Sequence, residues 1–453
     1  MLRTSTAAAL LVAGALGAGT ALAQAPAPPA TPAPTPATPA PDAAPAIASL
    51  RVPKVVTAQQ GHARLLVGVR LATPARLSIQ ISAVKGDRVV RTIADTEDRR
   101  AGRSYLRIDA IDQQGYQLLR GAYRVRVQAS DEQGRLSRAL QATVRLRLTA
   151  PRGQFDAYTI PLWRAFRRQA GTTADGQLVA VVAPKGAVAA AGIRRGDVVT
   201  SLNGAPVGSP GAWSAALRAL PAGKEVAVAF VRGGAERTAT LTPKPDWEQA
   251  PDYARALTVA VRREPRTVAY AVARARQMVE AGKHAPAARL VAAWPRSWRT
   301  SAPGQLVQGE IEAARERWKQ ALGAYNRARK KDPRLAAAEF GRGVALSSLK
   351  KDRPSRIAFA AAGRLDPADA AAAGFEAYAL LREDRVPDAV AAASRAVRLD
   401  NRYADAFLPL GMALLADGQK AQGVRMLRRG LLLLEDAERA ARLTTEHLDP
   451  TDP

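Results

Sequence analysis

GQLVAVVAPKGAVAAAGIRRGDVVTSLNGAPVGSPGAWSAALRALPAGKEVAVAFVRGGAERTATL, residues Gly176 to Leu241, is the stretch that decides the fold. The apolar run Leu178–Ala183 has strand length and composition. A Gly-bearing turn and a short Ala-rich helical turn, Ala187–Ala191, follow it. A second strand is expected over Asp197–Leu202. Asn203-Gly204 then supplies the pair that tolerates positive φ at both centres of a tight hairpin. Pro210–Leu220 has helical periodicity, with Trp213, Leu217 and Leu220 on one face at i, i+4 and i+7. Glu225–Arg232 and Glu236–Leu241, joined at Gly233-Gly234, close a compact α+β unit.

The string Ala191-Gly192-Ile193-Arg194-Arg195-Gly196-Asp197-Val198-Val199, followed by Asn203-Gly204 and Val207, resembles the PDZ domain of bacterial envelope proteins. The resemblance implies a module that binds extended peptides by adding a strand to a sheet edge. It also implies a carboxylate-binding loop upstream of the first strand, with an apolar-Gly-apolar core. The corresponding positions here are Tyr158, Thr159, Ile160, Pro161 and Leu162, which contain no Gly, and Pro161 has no N–H. Both departures disfavour capture of a terminal carboxylate and favour an internal strand or an idle groove. The groove is therefore expected at Tyr158, Thr159, Ile160 and Leu162 on one wall and at the small residues Ala212 and Ala216 on the other. Asp197, placed before a strand, is expected to serve a turn or cap.

Upstream, residues 49–149 change to a period of two. Alternating runs at 64–71, 75–83, 88–93, 104–110, 121–129 and 139–148 are separated by turn residues such as Lys85-Gly86-Asp87 and Gln114-Gly115. Short strands at this spacing point to an antiparallel β-sandwich. Thr73-Pro74-Ala75, Gly86, Val89-Val90-Arg91-Thr92, Gly102, Asp109, Asp112, Gly115 and Gly121-Ala122-Tyr123-Arg124-Val125-Arg126-Val127, ending at Asp131 and Gly134, resemble the Ig-like module of flagellar hook-capping proteins. That resemblance implies a spacer domain, with Asp109 and Asp112 as turn formers.

Downstream, Asp332-Pro333, Asp366-Pro367 and Asp400-Asn401 recur at 34 residues. A 34-residue period of helix pairs is the mark of tetratricopeptide repeats. The units are 302–335, 336–369, 370–403 and 404–437, with a degenerate unit at 268–301. Small residues at Gly309, Gly343, Ala377 and Gly411 are matched by Tyr325, Phe359, Ala393 and Leu427 sixteen positions later. The family resemblance implies a concave face lined by first helices. Its partner-binding positions here are Phe340, Val344, Tyr378, Leu408 and Met412. Burial of these residues by the array itself or by a neighbouring domain is the competing expectation.

The chain has 453 residues, 67 Lys and Arg against 40 Asp and Glu, a net charge of +27 and no Cys. Disulfides, thiolate metal sites and a lipid-modified Cys are thereby excluded. The three His, at 62, 284 and 447, have no metal-ligand spacing. The charge is spread along the chain, with no basic arm, so no nucleic-acid partner is expected. Weak contact with anionic envelope components fits the positive field.

Arg3, the apolar run Ala7–Gly19 and Ala21-Leu22-Ala23 have the form of a signal peptide over residues 1–23, cleaved before Gln24. An Ala/Pro-rich linker at 24–48 follows. The expected order is then Ig-like sandwich (49–149), PDZ domain (150–246), helical lead-in (247–301), tetratricopeptide array (302–437) and tail (438–453). No run long enough for a transmembrane anchor follows the signal, which places the mature chain in the periplasm or outside the cell. No Ser-His-Asp triad, His-Glu-x-x-His or nucleophile elbow is present. The expectation is a non-catalytic scaffold for protein or peptide partners, without cofactor or metal. An accessory, substrate-presenting subunit of a separate protease or secretion machine is an alternative, and an envelope polysaccharide binder is another.

Overall fold

The computed structural model describes residues 44–433, apart from 60–62, 95–97, 114–117, 119, 150–151 and 246–252. The expected signal peptide, most of the Ala/Pro-rich stretch, the Gln114-Gly115 pair, His62, His447 and the expected tail lie outside the described residues. The chain divides after Thr149 into two compact units.

The first unit is all strand: β1 (Ile47–Arg51), β2 (Val55–Gln59), β3 (Arg64–Leu71), β4 (Arg76–Ala83), β5 (Val89–Ala94), β6 (Gly102–Asp109), β7 (Gly121–Ser130) and β8 (Leu140–Thr149). They form a three-stranded sheet, β1-β3-β6, and a five-stranded sheet, β2-β8-β7-β4-β5. The period-two pattern sends Leu65, Val67 and Val69 of the smaller sheet into one core with Leu77, Ile79, Ile81, Val125, Val127, Val144 and Leu146 of the larger. One pairing departs from an all-antiparallel arrangement, since β2 runs parallel to β8. The Asp109 carboxylate accepts from Arg64 Nε at 3.0 Å, and it is the Asp109 carbonyl that accepts locally, from Ile111 N–H at 2.9 Å.

The second unit begins with a sheet of order β14-β13-β11-β10-β9, with β12 paired to β11. Its strands are β9 (Ala157–Pro161), β10 (Gln177–Val182), β11 (Val198–Leu202), β12 (Ala205–Pro206), β13 (Val226–Arg232) and β14 (Ala235–Leu241). Its helices are α1 (Arg164–Ala170), α2 (Ala187–Ala190) and α3 (Pro210–Ala219). Asn203 and Gly204 both adopt positive φ, 48° and 77°, as the turn chemistry requires. Ser209 caps α3 through Ala212 N–H at 3.1 Å. One sheet face packs under α3 through Phe155, Val179, Val199, Trp213, Val226 and Val228.

The other face packs against helices. These are α4 (Tyr253–Arg263), α5 (Val268–Glu280), α6 (His284–Ala292) and α7 (Arg296–Arg299), followed by four helix pairs. The pairs are α8 (Ala302–Ala313) with α9 (Trp318–Lys331), α10 (Ala336–Ser348) with α11 (Asp352–Leu365), α12 (Ala370–Arg382) with α13 (Val386–Leu399), and α14 (Ala404–Ala416) with α15 (Lys420–Leu433). The turn inside each pair places one residue in the left-handed region: Gly282, Glu316, Lys350, Asp384 and Gly418, each 34 residues after the last. The α5–α6 pair therefore shares the geometry of the later four. Small residues let paired helices approach: a Cβ on Gly309 would lie 2.5 Å from the Tyr325 ring, and one on Gly343 2.6 Å from Phe359.

Candidate peptide-binding site

Strand β9 is the outer strand of its sheet, and no described strand pairs with its far edge. Leu162 N–H donates to Gly176 O and Ala183 N–H to Asp156 O, both at 2.9 Å. Residues 156 and 162 thus face β10, and antiparallel alternation turns the backbone groups of Ala157, Thr159 and Pro161 to the open edge. Pro161 has no N–H to offer, and Ala157 N–H is turned to Phe155 O at 2.8 Å. Thr159 is left as the residue that presents both a donor and an acceptor. Helix α3 lies beside this edge, with Trp213 edge-on to Phe155 at 5.1 Å between centroids. Ala212 and Ala216 are half-buried.

Side-chain direction separates the sequence-derived groove residues. Ile160 and Leu162 are buried on the helical side of the sheet, with Leu257, Ala260, Val307 and Ile311, and Tyr158 packs on the same cluster. The Tyr158 hydroxyl donates to Glu280 Oε1 at 3.1 Å. These three side chains lie on the face away from α3, because residues two apart on a strand share a face. Thr159, Ala212 and Ala216 remain on or beside the α3 side.

The loop before β9 is buried over Gly153–Asp156, and its first two amides are used within the domain. Gly153 N–H donates to Leu220 O at 2.6 Å and Gln154 N–H to Lys244 O at 2.7 Å. The Asp156 carboxylate accepts from Ala187 N–H at 2.5 Å and Val188 N–H at 2.9 Å, holding the start of α2. Gly186 is Gly because a Cβ there would run into that carboxylate. Sequence reasoning placed this loop one strand too late, at 158–162. The chain's Arg152-Gly153-Gln154-Phe155-Asp156 run was the available signal.

Asp197, 1% exposed, accepts from Arg194 N–H at 2.7 Å and is held by Arg232 through Nε and a terminal nitrogen, both at 2.7 Å. It ties a turn to β13 by a two-pronged ion pair. Among the described residues no group of three His, Cys, Asp or Glu side chains could hold a metal ion.

Both walls of the groove are held by the helix pairs. On the β9 side, Arg276 lies over the Trp163 ring at 5.6 Å and pairs with Glu310 Oε2 at 3.1 Å. Burial opposes charge on Arg276, yet Glu310, Tyr158 and Glu280 hold its pKa above the ordinary value. Burial also raises Glu280 above the ordinary carboxylate range, and it raises Tyr158 well above its own. On the α3 side, Gly211 N–H donates to Asp366 Oδ2 at 2.8 Å, and Arg218 pairs with Asp400. Arg218 also lies over Tyr403 at 5.0 Å, and its carbonyl accepts from Arg402 at 2.6 Å.

Arg276 and Glu310 occupy equivalent positions 34 residues apart on first helices, and Val344, Tyr378 and Met412 continue that row. Val344 and Tyr378 are buried, and Phe340 packs on Phe359 and Phe375 at 5.5 and 5.4 Å. Leu408 is fully buried, against the position where a Gly430 Cβ would stand. Met412 is half-buried. The structure thus spends most of these side chains on packing within the array.

Residues 164–242 match the family model for the PDZ domain. Strand β9 lies just outside the matched residues and joins the same sheet. Over 66 residues, 15% of this chain, the sequence is 39% identical to the periplasmic serine endoprotease DegP of Salmonella typhimurium and 38% identical to that of Escherichia coli. The match spans 14% of the length of those relatives. Among solved structures, the chain is similar to MamA from Desulfovibrio magneticus, at 17% identity and a TM-score of 0.32, covering 42% of this chain and 97% of that one. It is similar to YrrB, described as a TPR protein with an unusual peptide-binding site, at 16% identity and a TM-score of 0.33, covering 42% and 99%. A TPR protein of Thermus thermophilus gives 21% identity and a TM-score of 0.33, covering 36% and 89%. No helix of the described residues is long and apolar enough to cross a membrane.

Proposed function

We propose that the chain is a non-catalytic extracytoplasmic adaptor that binds polypeptide partners, with the PDZ domain as its peptide-binding module and the tetratricopeptide array as its frame. The N-terminal strand unit acts as an Ig-like spacer. The observation that carries the proposal is the open outer edge of β9 beside α3. That edge can accept one further strand through Thr159, and a short added strand is the recognition mode of this domain class.

The loop ahead of β9 argues for internal segments over chain ends. Its amides at 153, 154 and 157 already donate to carbonyls, and Asp156 brings a negative charge into the loop. A terminal carboxylate meets the Asp156 carboxylate there, which makes the local field unfavourable. Val344, Tyr378 and Met412 continue the row whose first members, Arg276 and Glu310, hold the PDZ domain. Of these three, Val344 and Tyr378 are buried, and Met412 alone is left half-exposed to a partner.

A random-peptide library displayed on the full chain tests the proposal, with the same peptides presented as free acids and as amides. Binding without preference for the free acid, weakened by Thr159→Pro, supports it. A strong free-acid preference shifts the function to presentation of chain ends, as an accessory to a separate protease. The PDZ match to a periplasmic endoprotease favours that as the second reading.

A further inference from the structure

We infer that the outer face of the five-stranded sheet β2-β8-β7-β4-β5 docks onto a bilayer surface bearing anionic phosphate headgroups. This face points away from the core, and the pairing register fixes what lies on it. Arg126 stands opposite Gln141 and Gln80, and Arg124 opposite Thr143 and Ser82. Arg145 stands opposite Ala122 and Val55, and Arg147 opposite Thr57. Four arginines therefore share two adjacent strands, about 7 Å apart along each strand, and Arg124 and Arg145 meet on the diagonal across them at about 7–8 Å. No strand residue of this face is acidic. Arg124 is paired with Asp87 at 2.5 Å, whereas Arg126, Arg145 and Arg147 are exposed and make no ion pair among the described residues.

Three features select the partner. Guanidinium groups match phosphate oxygens with two parallel donors. The rest of the face is Gln, Thr, Ser and Ala apart from Arg76, which pairs with Asp98 at 2.8 Å, and it has no aromatic ring on which a sugar or base could stack. Two of the exposed large apolar side chains, Val55 at 45% and Val89 at 47%, stand at opposite margins of the same face. Basic rows flanked by exposed apolar side chains fit the boundary between headgroups and acyl chains.

The test is co-sedimentation of the full chain with phosphatidylcholine vesicles, with and without phosphatidylglycerol. The triple variant Arg126→Gln, Arg145→Gln, Arg147→Gln is compared with Lys330→Gln, Lys331→Gln, Arg334→Gln, which removes the same charge from exposed positions on the helix pairs. Each basic residue at a membrane surface is worth roughly fivefold in binding, so the sheet variant is expected to lose about two orders of magnitude on anionic vesicles. The helix-pair variant should lose far less. Arg→Lys at the three sheet positions should retain most binding, which separates loss of charge from loss of fold. Equal loss in both Gln variants overturns the proposal, as does failure of the unaltered chain to bind anionic vesicles. Retention on a heparin column that depends on the three arginines, without vesicle binding, also overturns it, in favour of a soluble polyanion.

Discussion

Asp366 accepts a 2.8 Å hydrogen bond from the backbone N–H of Gly211, 155 positions earlier in the chain. The carboxylate sits at the positive end of the PDZ helix α3, where a negative charge is favoured. Asp400, 34 residues after Asp366, takes Arg218, seven residues after Gly211. Seven residues of helix rise about 10.5 Å, two turns, so successive repeats meet the same helix face. Asp366 and Asp400, each in a repeat-ending turn, are thus both repeat boundaries and grips on the neighbouring domain.

Gly211→Ala should loosen that grip. The new Cβ would lie 2.5 Å from Ala368 C and Asp369 N, both backbone atoms that have no rotamer with which to yield. Overpacking of this kind costs about 1–3 kcal/mol. Hydrogen exchange should show faster opening of α3 and of the 366–369 turn, with the β8–β7 strands unchanged.

Asp369 gives the same junction a pH dependence. Burial, reinforced by the neighbouring charge of Asp366, raises its pKa from 3.8 to about 6. The folded state therefore binds this proton more tightly than the unfolded state. The resulting stabilisation is full below the unfolded value and is lost as pH rises toward about 6, an upper bound of about 3 kcal/mol. Asp369→Asn keeps a side-chain oxygen for the Ala371 and Ala372 amides that Asp369 now caps. Urea melts at pH 4.5 and 7 should show a smaller difference for this variant than for the unaltered chain.

Arg276→Met should be costly, because it takes the cation from the half-buried Glu310. Removing one partner of a fully buried pair costs about 3–5 kcal/mol, which is the upper bound here. Arg276→Met combined with Glu310→Leu should recover part of the loss, and a double-mutant cycle in denaturant would measure the coupling. Strict additivity of the two changes would refute the pairing.

Lys350→Gly should stabilise the array. Lys350 holds φ at 56°, in the left-handed region that costs a non-Gly residue about 1–2 kcal/mol, and Gly282 and Gly418 already fill the equivalent turns. After the entropy cost of Gly, a gain of about 0.5–1 kcal/mol is expected as a higher melting temperature.

The sequence by itself determined the local structure. Period-two alternation sets the strands of the first unit, Asn203-Gly204 forces its hairpin turn, and the 34-residue recurrence marks the helix pairs, because each signal is written in neighbouring residues. It also paired Gly309 with Tyr325 and Gly343 with Phe359, since both members of each contact lie within one repeat.

Tertiary structure alone decided which face of β9 turns to α3. Tyr158, Ile160 and Leu162 were legible as strand residues, but their direction depends on a helical layer more than a hundred residues away. It decided that the Asp156 carboxylate and the amides of Gly153 and Gln154 are used internally, because their partners come from α2, from Leu220 and from Lys244. It decided that Asp366 and Asp400 grip α3, since the match between a 34-residue repeat and two turns of another helix exists only once both are folded. Contacts between residues distant in the chain leave no periodic trace in either segment.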